Sequence, residues 1–309
     1  MDRGGRLAGA LSAASAALLL LAAADSPRVP IREARWAAPD RLFETLSREP
    51  AECLARPVGA AARRSVEIGR IAFRAPLLLG GQAARAGISC ATCHRSGRDN
   101  PAFLFPGVSG DPGTADVTSS LMSSHRGDRT DNPRPIPDLA GPPERLKVSR
   151  TGPGALEAFI HGLVVEEFDG AEPPPAVMAG LAAYVRALRP EACRGGSRRV
   201  SLEGRLDAVA AAVRLAAGSD RDTGRFLITA ARSLLGAVDE RFRLPGLERD
   251  RALLAEADAE LRALREDPRR GAPSLERWLE RWPERRRRLM RDERRSLFSP
   301  AILRAQLRA

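Results

Sequence analysis

Five consecutive residues, Cys90-Ala91-Thr92-Cys93-His94, limit what this chain can become more than its length or composition does. One helical turn brings residues three apart onto the same side, so the two thiols face one way and the neighbouring imidazole follows them. Cys-x-x-Cys-His is the attachment signature of c-type haem: two thiols add across the two vinyl groups of one porphyrin, and the histidine becomes an axial ligand to iron. Two other uses of the spacing agree less well with the surroundings. A thioredoxin-like redox pair sits in a strand–helix–strand context, whereas the flanks here are rich in Gly and Arg with no strand pattern before them. A structural zinc site needs a second pair of ligands, and Cys53, Cys193, His125 and His161 are widely scattered. One covalent haem c with its iron, held by Cys90 and Cys93 and ligated by His94, is the expected cofactor.

Residues 1–24 read as a secretory signal. Arg3 and Arg6 form a positive start, residues 7–24 are uncharged, and Ala22-Ala23-Ala24 supplies small residues before Asp25 and Pro27. An uncleaved anchor is the alternative, although so short a run is at the lower limit for a membrane span. The mature chain is expected in the bacterial periplasm, the compartment where haem attachment of this kind occurs.

Beyond the motif, the chain resembles the cytochrome c superfamily over residues 60–190. Gly69-Arg70-Ile71-Ala72-Phe73 is similar to the first helix of such domains, in which a glycine and an aromatic pack against the last helix. Pro137-Asp138-Leu139-Ala140-Gly141 is similar to the family's Pro-x-Leu-x-Gly loop, whose proline lies beside the haem-ligating histidine and whose carbonyl orients the imidazole. Residues 176–188, with Leu181, Tyr184, Val185 and Leu188 at helical spacing, look like the last helix. The resemblance implies an all-α, cytochrome c-like haem domain within residues 25–196. A narrower resemblance is to the di-haem cytochrome c peroxidases, through Gly69-Arg70, Phe73-Arg74-Ala75-Pro76 and Ser89-Cys90, but this chain carries one haem motif and not two. Cys53 and Cys193 flank the domain. The contact between first and last helices in such domains, together with an oxidising compartment, makes a Cys53–Cys193 disulfide reasonable, with two separate buried thiols as the alternative.

Function turns on the sixth iron position. Carriers fill it with Met or His; enzymes and gas sensors leave it open or weakly held. The usual methionine before the last helix is missing, because residues 164–170 read Val-Val-Glu-Glu-Phe-Asp-Gly. Met178 falls within the last helix pattern and reads as core. Met122, His125 and His161 remain as candidates beside an open position. Met122 and His125 belong to an insertion, residues 95–136, rich in Gly, Pro, Ser and Asp, whose length suits either a cover over the distal haem face or an ordinary surface loop. Alternate prolines in 132–137 force an extended path there.

Residues 197–309 form the second unit, a basic helical domain after Gly195-Gly196. Apolar stripes through Leu202–Val213, Leu227–Phe242, Leu253–Leu264 and Leu275–Trp282 predict a small bundle of four helices, the last kinked or ended by Pro283. With 4% aromatic residues, the core must be built mainly from Ala, Leu and Val. The formal charge is +11, and 26 arginines against 18 acidic residues place +8 of it in this second unit. Lys147 is the only lysine, a bias that weakens any argument from arginine content to nucleic acid. Arg285-Arg286-Arg287-Arg288 is the densest block; it reads as a docking surface for an acidic or membrane-bound redox partner or as a solvated helix face. The expected function is one-electron transfer by an exported mono-haem c-type cytochrome. The alternatives are a peroxidase-like or small-ligand-binding haem protein with open iron, and an interaction subunit that docks through its basic bundle.

Overall fold

Apolar residues recur every three to four positions through much of the chain, and the protein is accordingly mostly helical. The computed structural model describes residues 29–125, 127–266 and 271–308, so the proposed signal at 1–24 lies outside the described residues. Among the described residues, no helix is long and apolar enough to cross a membrane.

The first half is built around two long helices, α2 (Ala60–Phe73) and α6 (Pro175–Ala187). They cross at Gly69 and Gly180. A Cβ on Gly69 would lie 1.9 Å from the Gly180 carbonyl oxygen, so only glycine allows the backbones to approach this closely. Ile68, Ile71, Ala72 and Phe73 of α2 and Val177, Leu181 and Tyr184 of α6 are buried around the crossing. Short helices connect these two: α3 (Gly81–Ala86), α4 (Cys90–Cys93) and α5 (Ala155–His161), the last running on into a wider π-helical turn through Glu167. Before them come α1 (Leu42–Ser47) and β1 (Arg48–Pro50).

The insertion 95–136 is folded back by a small antiparallel pair, β2 (Thr114–Ala115) with β3 (Arg134–Pro135), so the proline-rich stretch is extended as its sequence requires. It is more than a surface loop, because Phe103, Val108, Met122 and Ile136 are buried in the main core.

After Gly196 the chain makes β4 (Ser197–Arg199), which pairs antiparallel with β1, and then five helices: α7 (Leu202–Ala217), α8 (Arg221–Arg241), α9 (Glu248–Glu266), α10 (Gly271–Arg291) and α11 (Pro300–Arg308). Ser201 and Asp220 cap α7 and α8 by accepting hydrogen bonds from backbone N–H groups of the first turn. Of the two outcomes open at Pro283, helix α10 does not end there but continues to Arg291, because Arg285 and Leu289 extend the buried face of Trp278 and Trp282 beyond the proline. Helix α11 was not expected; its Leu303 packs with Val29, Ile31, Ala34, Leu46 and Leu297 in a second, smaller core that joins the two ends of the described chain.

One core runs across the expected boundary at 196–197, from Trp36 to Phe298, and α2 touches α7 and α8 as well as α6. The run of arginines at 285–288 is partly drawn into the bundle. Arg285 is buried and forms a two-pronged ion pair with Glu260 of α9 at 2.7 and 2.8 Å, and Arg286 reaches Glu203 of α7 at 2.6 Å.

Candidate functional site

The Cys-x-x-Cys-His segment folds as a single helical turn because its ends are tied. Ser89 and Thr92 form a reciprocal capping box, in which the Ser89 N–H donates to Thr92 Oγ1 at 3.0 Å. The buried Asn100 donates from Nδ2 to the Thr92 carbonyl at 2.8 Å. At the other end the His94 N–H closes on the Cys90 carbonyl at 2.8 Å. The chain then reverses through Ser96 and Gly97, both at positive φ. Gly97 is needed there, since a Cβ would fall 2.4 Å from Leu188 just past α6.

Cys90, Cys93 and His94 keep some solvent-accessible surface, yet protein crowds all three. Burial pushes the Cys90 and Cys93 thiols up to about 12. It pulls the His94 imidazole down to about 4, against the opposing pull of the Pro137 carbonyl and Asp138. Neither thiol is in a disulfide.

The ring of His94 is oriented by one contact: its Nδ1 lies 3.0 Å from the Pro137 carbonyl oxygen. A carbonyl only accepts, so Nδ1 carries the proton and the Nε2 lone pair is left free, which is the tautomer a metal requires. Phe73 packs 6.4 Å from His94 and 5.1 Å from Tyr184, measured between ring centroids, linking the imidazole to the α2–α6 crossing.

Three side chains that support the site were not anticipated. Arg98 grips Asp138, the neighbour of Pro137, at 2.7 and 2.6 Å, and its third nitrogen points at the Cys53–Cys193 disulfide, 3.2 Å from one sulfur. That disulfide joins the segment before α2 to the segment after α6, where backbone hydrogen bonds Ala55 to Ala187 and Arg189 to Cys53 also tie them. Arg150, buried, donates to the carbonyls of Leu139, Gly141 and Leu188, fastening the 137–141 loop to the end of α6. Glu52, nearly buried, accepts from Arg70, Arg74 and Tyr184 and pins α2 to α6. Sequence signals for these are weak, since each pairing joins segments far apart in the chain.

The candidate sixth ligands are dispersed. Met122 is buried in the main core. Its neighbours Ser123 and Ser124 bond to the Glu166 carbonyl and Asp169 carboxylate, so the insertion lies against the segment that precedes α6. His125 is exposed, with Nε2 3.4 Å from Asp169, and His161 is at the surface with Nε2 2.7 Å from Glu172. Met178 is half-buried against the core.

Among the described residues, no cluster of three or more His, Cys, Asp or Glu side chains has the arrangement of an ion site made from protein alone. A porphyrin-borne metal needs only one protein nitrogen and two thiols to hold the ring, and the donor set at 90–94 supplies those. No family model, curated protein or solved structure matches this chain.

Proposed function

We propose that the chain is an exported, mono-haem c-type cytochrome that carries single electrons between partner proteins. The observation that carries this reading is the 3.0 Å contact from His94 Nδ1 to the Pro137 carbonyl, beside two unpaired thiols on one helical turn. In the cytochrome c superfamily, which residues 60–190 resemble, the proline of the Pro-x-Leu-x-Gly loop stands in this relation to the ligating histidine. The glycine-to-glycine crossing of α2 and α6, with Phe73 against Tyr184, supports the same reading.

Cys90 and Cys93 would hold the haem, and His94 would offer Nε2 to iron. The group supplies a one-electron ferric/ferrous couple when bound. The chain's own part is rigidity and exclusion of water. Arg98 and Arg150 fix the loop that orients His94, while the disulfide and Glu52 keep α2 and α6 together. Met122 is the sixth ligand this reading favours: its thioether is buried, whereas both histidines direct Nε2 to surface carboxylates. A periplasmic location and an acidic or membrane-bound redox partner belong to the same proposal, and no nucleic-acid role does.

The test is an optical spectrum of the purified, haem-loaded chain in both oxidation states. A low-spin ferric spectrum with the long-wavelength methionine-to-iron band, lost in Met122→Ala, is expected. A high-spin ferric spectrum that changes with peroxide would overturn the carrier reading in favour of peroxidase-like chemistry or ligand binding.

A further inference from the structure

A cavity of about 140 Å³ lies between the α4 turn and the bundle. Ala91 and Thr92 contribute to its wall, while Cys90, Cys93 and His94 do not, so it is separate from the candidate haem site. Ser233 and Ala237 of α8 form part of the opposite wall.

Its electrostatics are unbalanced. Five arginines and three glutamates line it. Arg32 is matched to Glu240 at 3.0 Å, and Arg74 to Glu52 outside the cavity at 3.1 Å. Glu49 binds Arg198 at 3.0 Å and lies 3.8 Å from Arg205. Arg95, Arg205 and Arg241 are left to repel one another around Glu33, half-exposed and 4.0 Å from Arg205 and 3.8 Å from Arg241, with Glu49 shared between Arg205 and Arg198 and Glu240 between Arg241 and Arg32. Arg95 and Arg241 donate to the backbone carbonyls of Thr45, Arg48, Leu46 and Leu297, which satisfy N–H groups without neutralising charge. Burial pulls Arg241 down to about 10. The Arg205 guanidinium makes no hydrogen bond among the described residues: its nearest carboxylates are 4.0 and 3.8 Å away, although its side chain is only 22% exposed.

Enclosed cations with too few anions are costly to keep together. A guanidinium with unengaged donors is shaped to receive an oxyanion. We infer that this cavity binds a small multivalent oxyanion, a phosphate or a polycarboxylate, between Arg95, Arg205 and Arg241. Ser89 and Thr92, held in their capping box, complete the wall on the α4 side. The cavity shares Arg74, Arg205, Glu49 and Leu234 with an adjoining groove between α2 and α7, which gives the anion a route in. Bound there, it would brace the α4 turn against α8.

The experiment is isothermal titration calorimetry of the full chain with sodium phosphate and, separately, sodium citrate, at constant ionic strength. Saturable binding of one anion per chain is expected, and whichever of the two saturates identifies the source. Arg205→Gln is expected to weaken binding about tenfold or more, the loss of one charge-assisted contact. Ala237→Leu, which adds bulk at the wall and alters no charge, should weaken it too and serves if Arg205→Gln does not fold. Arg287→Gln, at an exposed position on α10, should leave it unchanged. Failure of both anions to saturate, or equal losses in Arg205→Gln and Arg287→Gln, would overturn the inference.

Discussion

Replacing Gly69 by alanine is expected to be among the most damaging single-methyl additions this protein can suffer. The added Cβ would lie 1.9 Å from the Gly180 carbonyl oxygen, 2.2 Å from its carbon and 2.7 Å from the Leu181 nitrogen, all backbone atoms of α6. Ordinary contact begins near 3.4 Å, so α2 and α6 must separate by more than an ångström. A radial gap of only about 0.5–1 Å already forfeits a quarter to a half of each dispersion contact, so the larger separation here costs at least that much across the crossing. Overpacking typically costs about 1–3 kcal/mol, and with backbone as the obstacle we expect about 3 kcal/mol or more. At a urea m-value of about 3 kcal/mol/M, the upper end for small domains, the midpoint falls by about 1 M. Gly236→Ala is the paired control. Nothing lies within 4 Å of a Cβ there and the position is inside α8, so it should gain about 0.5–1 kcal/mol. Urea unfolding followed by circular dichroism measures both. A Gly69→Ala midpoint equal to that of the parent would refute the close-crossing argument.

Other outcomes follow from single contacts. Arg98→Gln removes the cation from Asp138 and should cost about 1–3 kcal/mol, whereas Arg287→Gln, at an exposed pair with Glu284, should change stability by less than about 0.5 kcal/mol; equal effects in urea titrations would sink the role given to Arg98. The disulfide closes a loop of 140 residues, so Cys53→Ser with Cys193→Ser should lose about 2–5 kcal/mol, read from thermal unfolding with and without reductant. Burial alone would raise the Glu52 carboxyl, but Arg74 and Arg70, with a hydrogen bond from Tyr184, hold it below its ordinary value of 4.5. A carboxylate depressed in the folded state adds stability that is present above about pH 4.5 and lost as pH falls through the lower folded value. Glu52→Gln should therefore flatten stability against pH in that acid range, and an unchanged acid slope would contradict the assignment.

The parts legible in the sequence are those governed by local periodicity and local chemistry. The stripe at Leu181, Tyr184, Val185 and Leu188 marks α6 to within a residue, and Leu227 to Phe242 marks α8, because a helix face repeats along the chain. Alternating prolines likewise announce the extended strand at 134–135. Less legible were features set by partners distant in sequence. Helix α11 is short and gains its place only by packing Leu303 on Val29 and Leu46 from the other end of the chain. Pro283 reads as a kink or an end, and only the buried face beyond it, through Arg285 and Leu289, shows that the helix continues. At the candidate site, Cys90, Cys93 and His94 declare themselves by spacing. Arg98, Arg150 and Glu52 do not, since an arginine that reaches a carbonyl 38 residues away, as Arg150 reaches Leu188, looks in sequence like any other of this chain's arginines. The arginine block at 285–288 reads as a docking patch by density alone, whereas Arg285 and Arg286 are engaged with Glu260 and Glu203.

The most direct test of the central claim is intact-mass spectrometry of the chain expressed with and without the machinery for covalent haem attachment, under denaturing conditions. The account predicts a mass increase of one haem per chain that survives denaturation and acid extraction, and that is lost in the double variant Cys90→Ala, Cys93→Ala. A chain that carries no covalent haem when the machinery is present, or one that keeps it after both cysteines are replaced, would contradict the account.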